Sequence, residues 1–190
     1  RFAHGALELE LGSVDLDLDP DGRVIGAHEE HNDESHEIIE EFMLAANVAV
    51  ATYFNDEREE FLRRVHEDPS VLKMTSFGEF VAAVGYPIKQ VQSRHELQAL
   101  LNRVKGRPES RAVNYALLRS LKQATYSPEP VGHYALAEEQ YCHFTSPIRR
   151  YPDLLIHRLL ISKLTGNRTY SGPRGAELVF LLLALFRHAA

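Results

Sequence analysis

YCHFTSPIRRYPDLLIHRLL (residues 141–160) is the run that decides how the rest of the chain is read. Thr145, Ser146 and Pro147 are residues that open helices, and the amides at a helix start favour anions. Arg149 and Arg150 then place two guanidinium groups close to that positive end, where they repel one another unless an anion lies near. Guanidinium donors match two phosphate oxygens at once. The residues alone leave two readings open. In one, the arginines bind a phosphate. In the other, Arg150 and Arg158 pair with carboxylates such as Asp153 in a structural network.

Upstream of this run the chain alternates between strand and helix patterns. Leu7, Leu9 and Leu11 alternate with glutamates, and the alternation resumes out of phase at Val14, Leu16 and Leu18, which predicts a strand bulged at Gly12-Ser13. The stretch DLDLDPDG (residues 15–22) carries the D-x-D-x-D-G order of a calcium loop. An EF-hand also needs a helix on each side and a glutamate at loop position twelve. Counting from Asp17, that position is His28. Period two instead puts Asp15, Asp17 and Asp19 on one strand face, so a solvated face running into a turn is the expectation. HEEH (residues 28–31) lacks the spacing that aligns two imidazoles on a helix.

RVIGAH is expected as a return strand. A long helix follows, capped at Asn32, Asp33 or Ser35 and running to about Phe54 on the spacing of Ile38, Ile39, Phe42, Met43, Ala46, Val50 and Tyr53. Further helices are expected over residues 72–84, from Ser93 (a capping-box pattern with Glu96) to about Lys105, and over residues 109–124. GHYALA and QYCHFT read as short extended pieces. The final helix spans the arginine run and ends at Gly166.

Composition sets outer bounds. The chain has 190 residues, 44% hydrophobic and 25% charged, with net charge −6. A simple electrostatic nucleic-acid binder would be basic, so composition alone does not point to RNA first, while leaving room for a local basic groove on an acidic body. A single cysteine, Cys142, excludes an internal disulfide and a cysteine-rich zinc site, and fits a reducing, cytoplasmic location. The longest apolar run, residues 178–186, is nine residues. That is too short to cross a bilayer of about 30 Å as a helix.

The run at 141–160 strongly resembles the RNB catalytic domain of the ribonuclease II and ribonuclease R family. The similarity continues in ALLRSLKQATYSPEPVGHYALA (residues 116–137), FLRRVHEDPS (61–70), HNDESHEIIEEFMLAANVAVA (31–51) and GALELEL (5–11). Order and spacing agree over about residues 5–165, whereas 166–190 read as a diverged or truncated tail. Residues 1–190 are thus expected to form a partial RNB domain, truncated at its N-terminus. The fold implied is α+β, a mainly antiparallel sheet flanked by helices.

The resemblance implies a processive 3′-to-5′ exoribonuclease that hydrolyses single-stranded RNA to nucleoside 5′-monophosphates. It implies magnesium, with the metal-binding aspartates in an acidic motif upstream of residue 1, so no metal ligand is assigned within the chain and the chain alone is expected to be inactive. No membrane partner or small-molecule cofactor is implied, and the family's flanking OB-type RNA-binding domains fall outside these residues. Arg149 matches the family's catalytic arginine. Glu40 matches a carboxylate near the 3′-terminal nucleotide; by spacing alone it is a solvent-facing helix residue. Tyr141, His143, Thr145, Ser146, Arg150 and Arg158 match positions that position substrate, and Asp153 belongs to the same motif. Leu9 stands where many members carry a phenylalanine that stacks on bases, which implies a weaker grip there. The alternative is a non-catalytic RNB relative that binds RNA or protein.

Overall fold

The computed structural model describes residues 2–30 and 33–166. The tail 167–190, including the apolar run 178–186, lies outside them. Ten elements matter here: β1 (Ser13–Leu18), β2 (Val24–Glu30), α1 (Glu34–Asp56), β3 (Arg63–Val65), α2 (Val71–Ala83), α3 (Arg94–Val104), α4 (Ser110–Ser120), β4 (Thr125–Ser127), a 3-10 turn (Tyr134–Leu136) and α5 (Tyr151–Thr165). β1 pairs with β2 and β3 with β4, both antiparallel. The class is therefore α+β as expected, with the strands in two small ladders. No described helix is long and apolar enough to cross a membrane.

The described chain forms two compact units. One comprises residues 7–30, 33–41 and 70–121; the other comprises residues 2–6, 42–69 and 122–166.

In the first unit, α2, α3 and α4 bury Met74, Phe77, Val81, Leu97, Leu100, Leu101, Val104, Val113 and Leu117. Ser70 and Ser93 cap α2 and α3 by accepting the amides of Lys73 and Glu96. The capping box at Ser93 is not reciprocal, because the Glu96 carboxylate accepts the amides of Lys89 and Gln90, both at 2.9 Å. Residues 7–11 are not a strand. Their backbone amides are taken by side chains, Glu8 by Gln98 Oε1 and Glu10 by Asn114 Oδ1, each at 2.9 Å, and this removes the ladder partners a strand needs. β1 begins at Ser13, and its register shift falls at Asp17/Leu18 instead of Gly12-Ser13.

The stretch DLDLDPDG is a strand and its turn. Asp19 Oδ1 accepts the amides of Asp21 and Arg23 at 2.9 and 2.8 Å, and Gly22 adopts φ +79°. Asp17 faces His28 at 3.3 Å. Asp33 proves to be the cap of α1. Its Oδ1 accepts from Ser35 Oγ at 2.6 Å and from the His36 amide at 3.0 Å, and these bonds hold its pKa far below the usual carboxylate range.

In the second unit the core is Ala51, Phe54, Phe61, Cys142, Ile156 and Leu159, with Val50, Tyr53, Phe144 and Leu160 against it. Phe54 stacks at 5.6 Å on Tyr53 and 5.4 Å on Phe61. Burial drives the Cys142 thiol up to about 12, which leaves it protonated and unreactive. The α4 helix stops at Ser120, so the stretch expected to remain helical to Ala124 instead leads into β4. Truncating Phe54 to alanine empties the centre of this cluster, and a loss of about 3–5 kcal/mol is expected. Urea denaturation followed by far-UV circular dichroism checks this, against an unchanged midpoint if Phe54 is peripheral.

Candidate functional site: a phosphate-directed arginine turn

The arginine run does not enter its helix where the residue types suggested. Residues 147–149 form a separate turn closed by the Arg149 and Arg150 amides on Ser146 O, at 3.3 and 3.1 Å. Arg150 is extended (φ −125°, ψ 117°) and α5 starts at Tyr151. Pro152 accounts for the break. It has no N–H to give to an earlier turn, and its ring collides with the carbonyl four residues back if the helix extends upstream. Helix-start amides therefore do not surround Thr145 to Pro147, and the anion-binding capacity of this region rests on side chains.

Asp153 holds the turn in place. It is fully buried, and its carboxylate accepts the Ser146 amide at 2.8 Å, Arg150 Nε at 2.9 Å and Arg150 Nη2 at 2.7 Å. A bidentate guanidinium–carboxylate pair with one further amide satisfies the buried charge. The structural reading is thus correct for Arg150. Arg149 differs: it is exposed, and among the described residues its guanidinium has no hydrogen bond or ion pair. Ile148, between Pro147 and Arg149, is likewise fully exposed at 101%.

Behind the turn, residues 141–144 are held by α1. Asn47, 3% exposed, donates to Tyr141 Oη at 3.1 Å and accepts the Phe144 amide at 2.9 Å, while its carbonyl accepts from Cys142 Sγ. Tyr141 stands edge-on to His133 at 5.2 Å and to His143 at 5.9 Å, and His143 Nδ1 meets Tyr126 Oη at 2.8 Å. His157 stacks on Phe144 at 4.2 Å and meets the Phe144 carbonyl through Nε2 at 2.9 Å. Burial, with the Arg150, Arg64 and Arg149 charges, lowers His143 to about 4; burial, with His66 and Arg64, lowers His133 to about 3. Both imidazoles are neutral at pH 7.

All the candidate site residues singled out in the sequence except Leu9 and Glu40 fall in this unit. Tyr141, His143, Thr145, Ser146, Arg149 and Arg150 lie along one continuous segment, and Arg158 is half-buried on α5. Glu40 is exposed on the part of α1 that belongs to the other unit. The sequence reading missed Asn47, Tyr126, His133 and Arg64. Asn47 had a readable signal, a polar residue set into the apolar stripe of Met43, Ala46 and Val50. The others depend on β4 and on the 131–134 segment, where His66 N donates to Gly132 O and Tyr134 N to His66 O.

The described residues do not fit a magnesium site. No group of three or more His, Cys, Asp or Glu among them is placed to hold a metal, and the carboxylate nearest the arginines, Asp153, is occupied by protein donors.

A guanidinium exposed at this turn, without a counter-charge among the described residues, has the donor geometry that suits an oxyanion such as phosphate. The chain matches the RNB domain over residues 1–166 and belongs to that family. Ribonuclease R of Aquifex aeolicus is 37% identical over 172 residues, covering 88% of this chain and 24% of that protein. Ribonuclease R of Thermotoga maritima is 36% identical over 193 residues, covering 100% of this chain and 27% of its own length. The chain thus spans about a quarter of these curated relatives. Among solved structures, Mycoplasma genitalium RNase R in complex with ribose-methylated single-stranded RNA superposes with TM-score 0.84 at 29% identity, covering 94% of this chain and 28% of that one. Yeast Ssd1, a pseudonuclease, gives TM-score 0.64 at 27% identity, covering 74% and 18%.

Two outcomes are expected. Asp153→Ala leaves Arg150 without its counter-charge and should cost about 3 kcal/mol in urea denaturation. Acid should also destabilise the fold. Unfolded imidazoles take up protons near 6.5, whereas His143 and His133 do so only near 4 and 3. Between those values the unfolded chain binds more protons, so stability falls as pH drops from about 6.5 towards 4, by up to about 1.4 kcal/mol per pH unit for each group. Melts of wild type and His143→Asn across pH 4–7 check the sign, since the variant should show the shallower slope.

Proposed function

We propose that this chain is the part of a 3′-to-5′ exoribonuclease that grips the scissile phosphate of single-stranded RNA, within an enzyme that processively releases nucleoside 5′-monophosphates. The observation that carries this reading is Arg149, whose exposed guanidinium has no partner among the described residues while its neighbour Arg150 is held by Asp153. Hydrolysis adds water across the P–O3′ bond: the water oxygen joins phosphorus, and the departing 3′-oxygen leaves with a proton. Negative charge grows on the phosphoryl oxygens as this happens. A guanidinium already fixed in position offsets that charge without reorganising. Ser146, Asp153 and Asn47 serve by holding the turn and residues 141–144 still, and neutral His143 adds no second charge to compete with Arg149.

Magnesium belongs to this reading, with its ligands outside the described residues. A cytoplasmic location does too, supported by the single, buried and protonated thiol of Cys142. Glu40 is assigned to the 3′-terminal nucleotide through the resemblance of residues 31–51.

The second reading is a non-catalytic RNB protein. The fold shared with a pseudonuclease favours it, as does the absence of a metal cluster among the described residues.

The 190 residues alone are expected to release no mononucleotides from labelled single-stranded RNA with magnesium, and release would overturn the assignment of the metal ligands to other residues. In an active enzyme carrying this domain, Arg149→Ala should cut single-turnover hydrolysis by about 10²–10³-fold with a modest loss of RNA binding. Wild-type turnover in that variant would sink the role given to Arg149, and a parent protein inert with magnesium would favour the non-catalytic reading.

A further inference from the structure

The chain contains two pairs of consecutive arginines in this unit, and each pair divides the same way. At 149–150, Arg150 is consumed by Asp153 and Arg149 is not. At 63–64, Arg63 is 8% exposed and its guanidinium is shared among Pro128 O at 3.3 Å, Asn55 Oδ1 at 3.2 Å and Gln140 Oε1, above the Phe61 ring. Arg64 has no such partners. Among the described residues its guanidinium makes no hydrogen bond or ion pair, and it lies 4.8 Å from the centroid of the Tyr126 ring.

Three ties hold Arg64 beside residues 141–143, the segment that leads into the arginine turn. It stands directly opposite Tyr126 in the β3–β4 ladder. Its amide donates to Tyr141 O at 3.0 Å. Tyr126, beneath its guanidinium, meets His143 at 2.8 Å. Arg64, Arg149 and Arg150 all act electrostatically on His143, and the one carboxylate acting there, Asp153, is already bonded to Arg150. Two guanidinium charges that both act on His143 are therefore left without an anion among the described residues. Stacking on a ring occupies a face of the guanidinium and leaves its in-plane N–H donors for oxygen.

We infer that Arg64 is a second phosphate-binding residue, which contacts an RNA backbone phosphate next to the one held by Arg149. This rests on the reading of Arg149 as a phosphate ligand. The two side chains form a two-point clamp on consecutive backbone phosphates. Arg64 therefore sets the register of the strand, and Arg149 serves the bond that breaks. A purely structural role for Arg64, covering the Tyr126 ring, predicts no contribution to salt dependence.

The test is the affinity of the 190-residue chain for an unstructured, fluorescein-labelled RNA oligonucleotide, without divalent metal, measured by anisotropy over a series of salt concentrations. Each phosphate neutralised on a single strand contributes about 0.7 to the slope of log K against log salt. Arg64→Met keeps the aliphatic stem over Tyr126. It should lower the slope by about 0.7 and weaken binding roughly 3- to 10-fold. Arg149→Met should lower the slope similarly, and Arg64→Lys should keep it. If Arg64→Met melts below wild type, Arg64→Gln is read in its place. A lowered slope for Arg149→Met with wild-type slopes for the Arg64 variants would overturn the clamp and leave the proposed function standing. No RNA binding by wild type, or no change in either set, would overturn both.

Discussion

The geometry of the candidate site depends on one buried carboxylate. Asp153 receives the Ser146 amide and both ends of the Arg150 fork, with no exposure to water. A buried charge is tolerable only when its partner and remaining lone pairs are satisfied, and here they are. The result is a turn whose shape is set from inside the protein, independently of ligand. Pro152 reinforces it by preventing α5 from extending through Arg150, so the chain at 146–150 has to take a conformation of its own.

That arrangement distinguishes two adjacent residues of the same type. By pairing with Arg150, Asp153 removes one positive charge from the surface and leaves the other on Arg149 beside it. The field left over is felt by the protein: it adds to burial in keeping His143 neutral. A neutral His143 in turn suits the bond to Tyr126, whose ring lies under Arg64. Asn47 secures the other side, since one amide side chain both supports Tyr141 and accepts the Phe144 amide. The motif therefore works as a set of mutually supporting contacts around a small unpaired charge, and most of its polar residues face inward.

Much of this was legible in the sequence where local periodicity and local chemistry agree. The long helix α1, the helices α2 to α4 and the glycine stop at Gly166 all follow from spacing and capping residues, and of the three caps the sequence offered for α1 the structure uses Asp33. Legibility failed where distant residues take over a backbone group. Residues 7–11 alternate like a strand, yet Gln98 and Asn114 claim the amides that pairing requires. The capping box at Ser93 is half-formed because Glu96 has backbone donors elsewhere. β4 and the His66–His133 bridge were invisible because a three-residue strand has too few alternations to read, and its partner strand is remote in sequence, with Val65 opposite Thr125 and Arg63 opposite Ser127. In the site, the sequence singled out one segment and left the fate of its arginines open. Only a three-dimensional contact, Asp153 on Arg150, assigns that arginine to structure and leaves Arg149 for the proposed phosphate contact.

The net charge of −6 and the proposed RNA-directed site are compatible for a physical reason. At physiological salt the field of an exposed charge fades over about 8 Å, so a strand approaching the turn responds to the nearest side chains and little to the total. Those side chains are arginines without counter-ions among the described residues, beside a histidine held neutral and a carboxylate already neutralised. The acidic remainder then acts against indiscriminate binding, because a polyanion gains nothing by lying elsewhere on the surface. In the proposed reading, selectivity for the turn would come from contrast between a few guanidinium groups without counter-ions among the described residues and an acidic background. It is this contrast, and not overall basicity, that would mark a phosphate site on a chain of this composition.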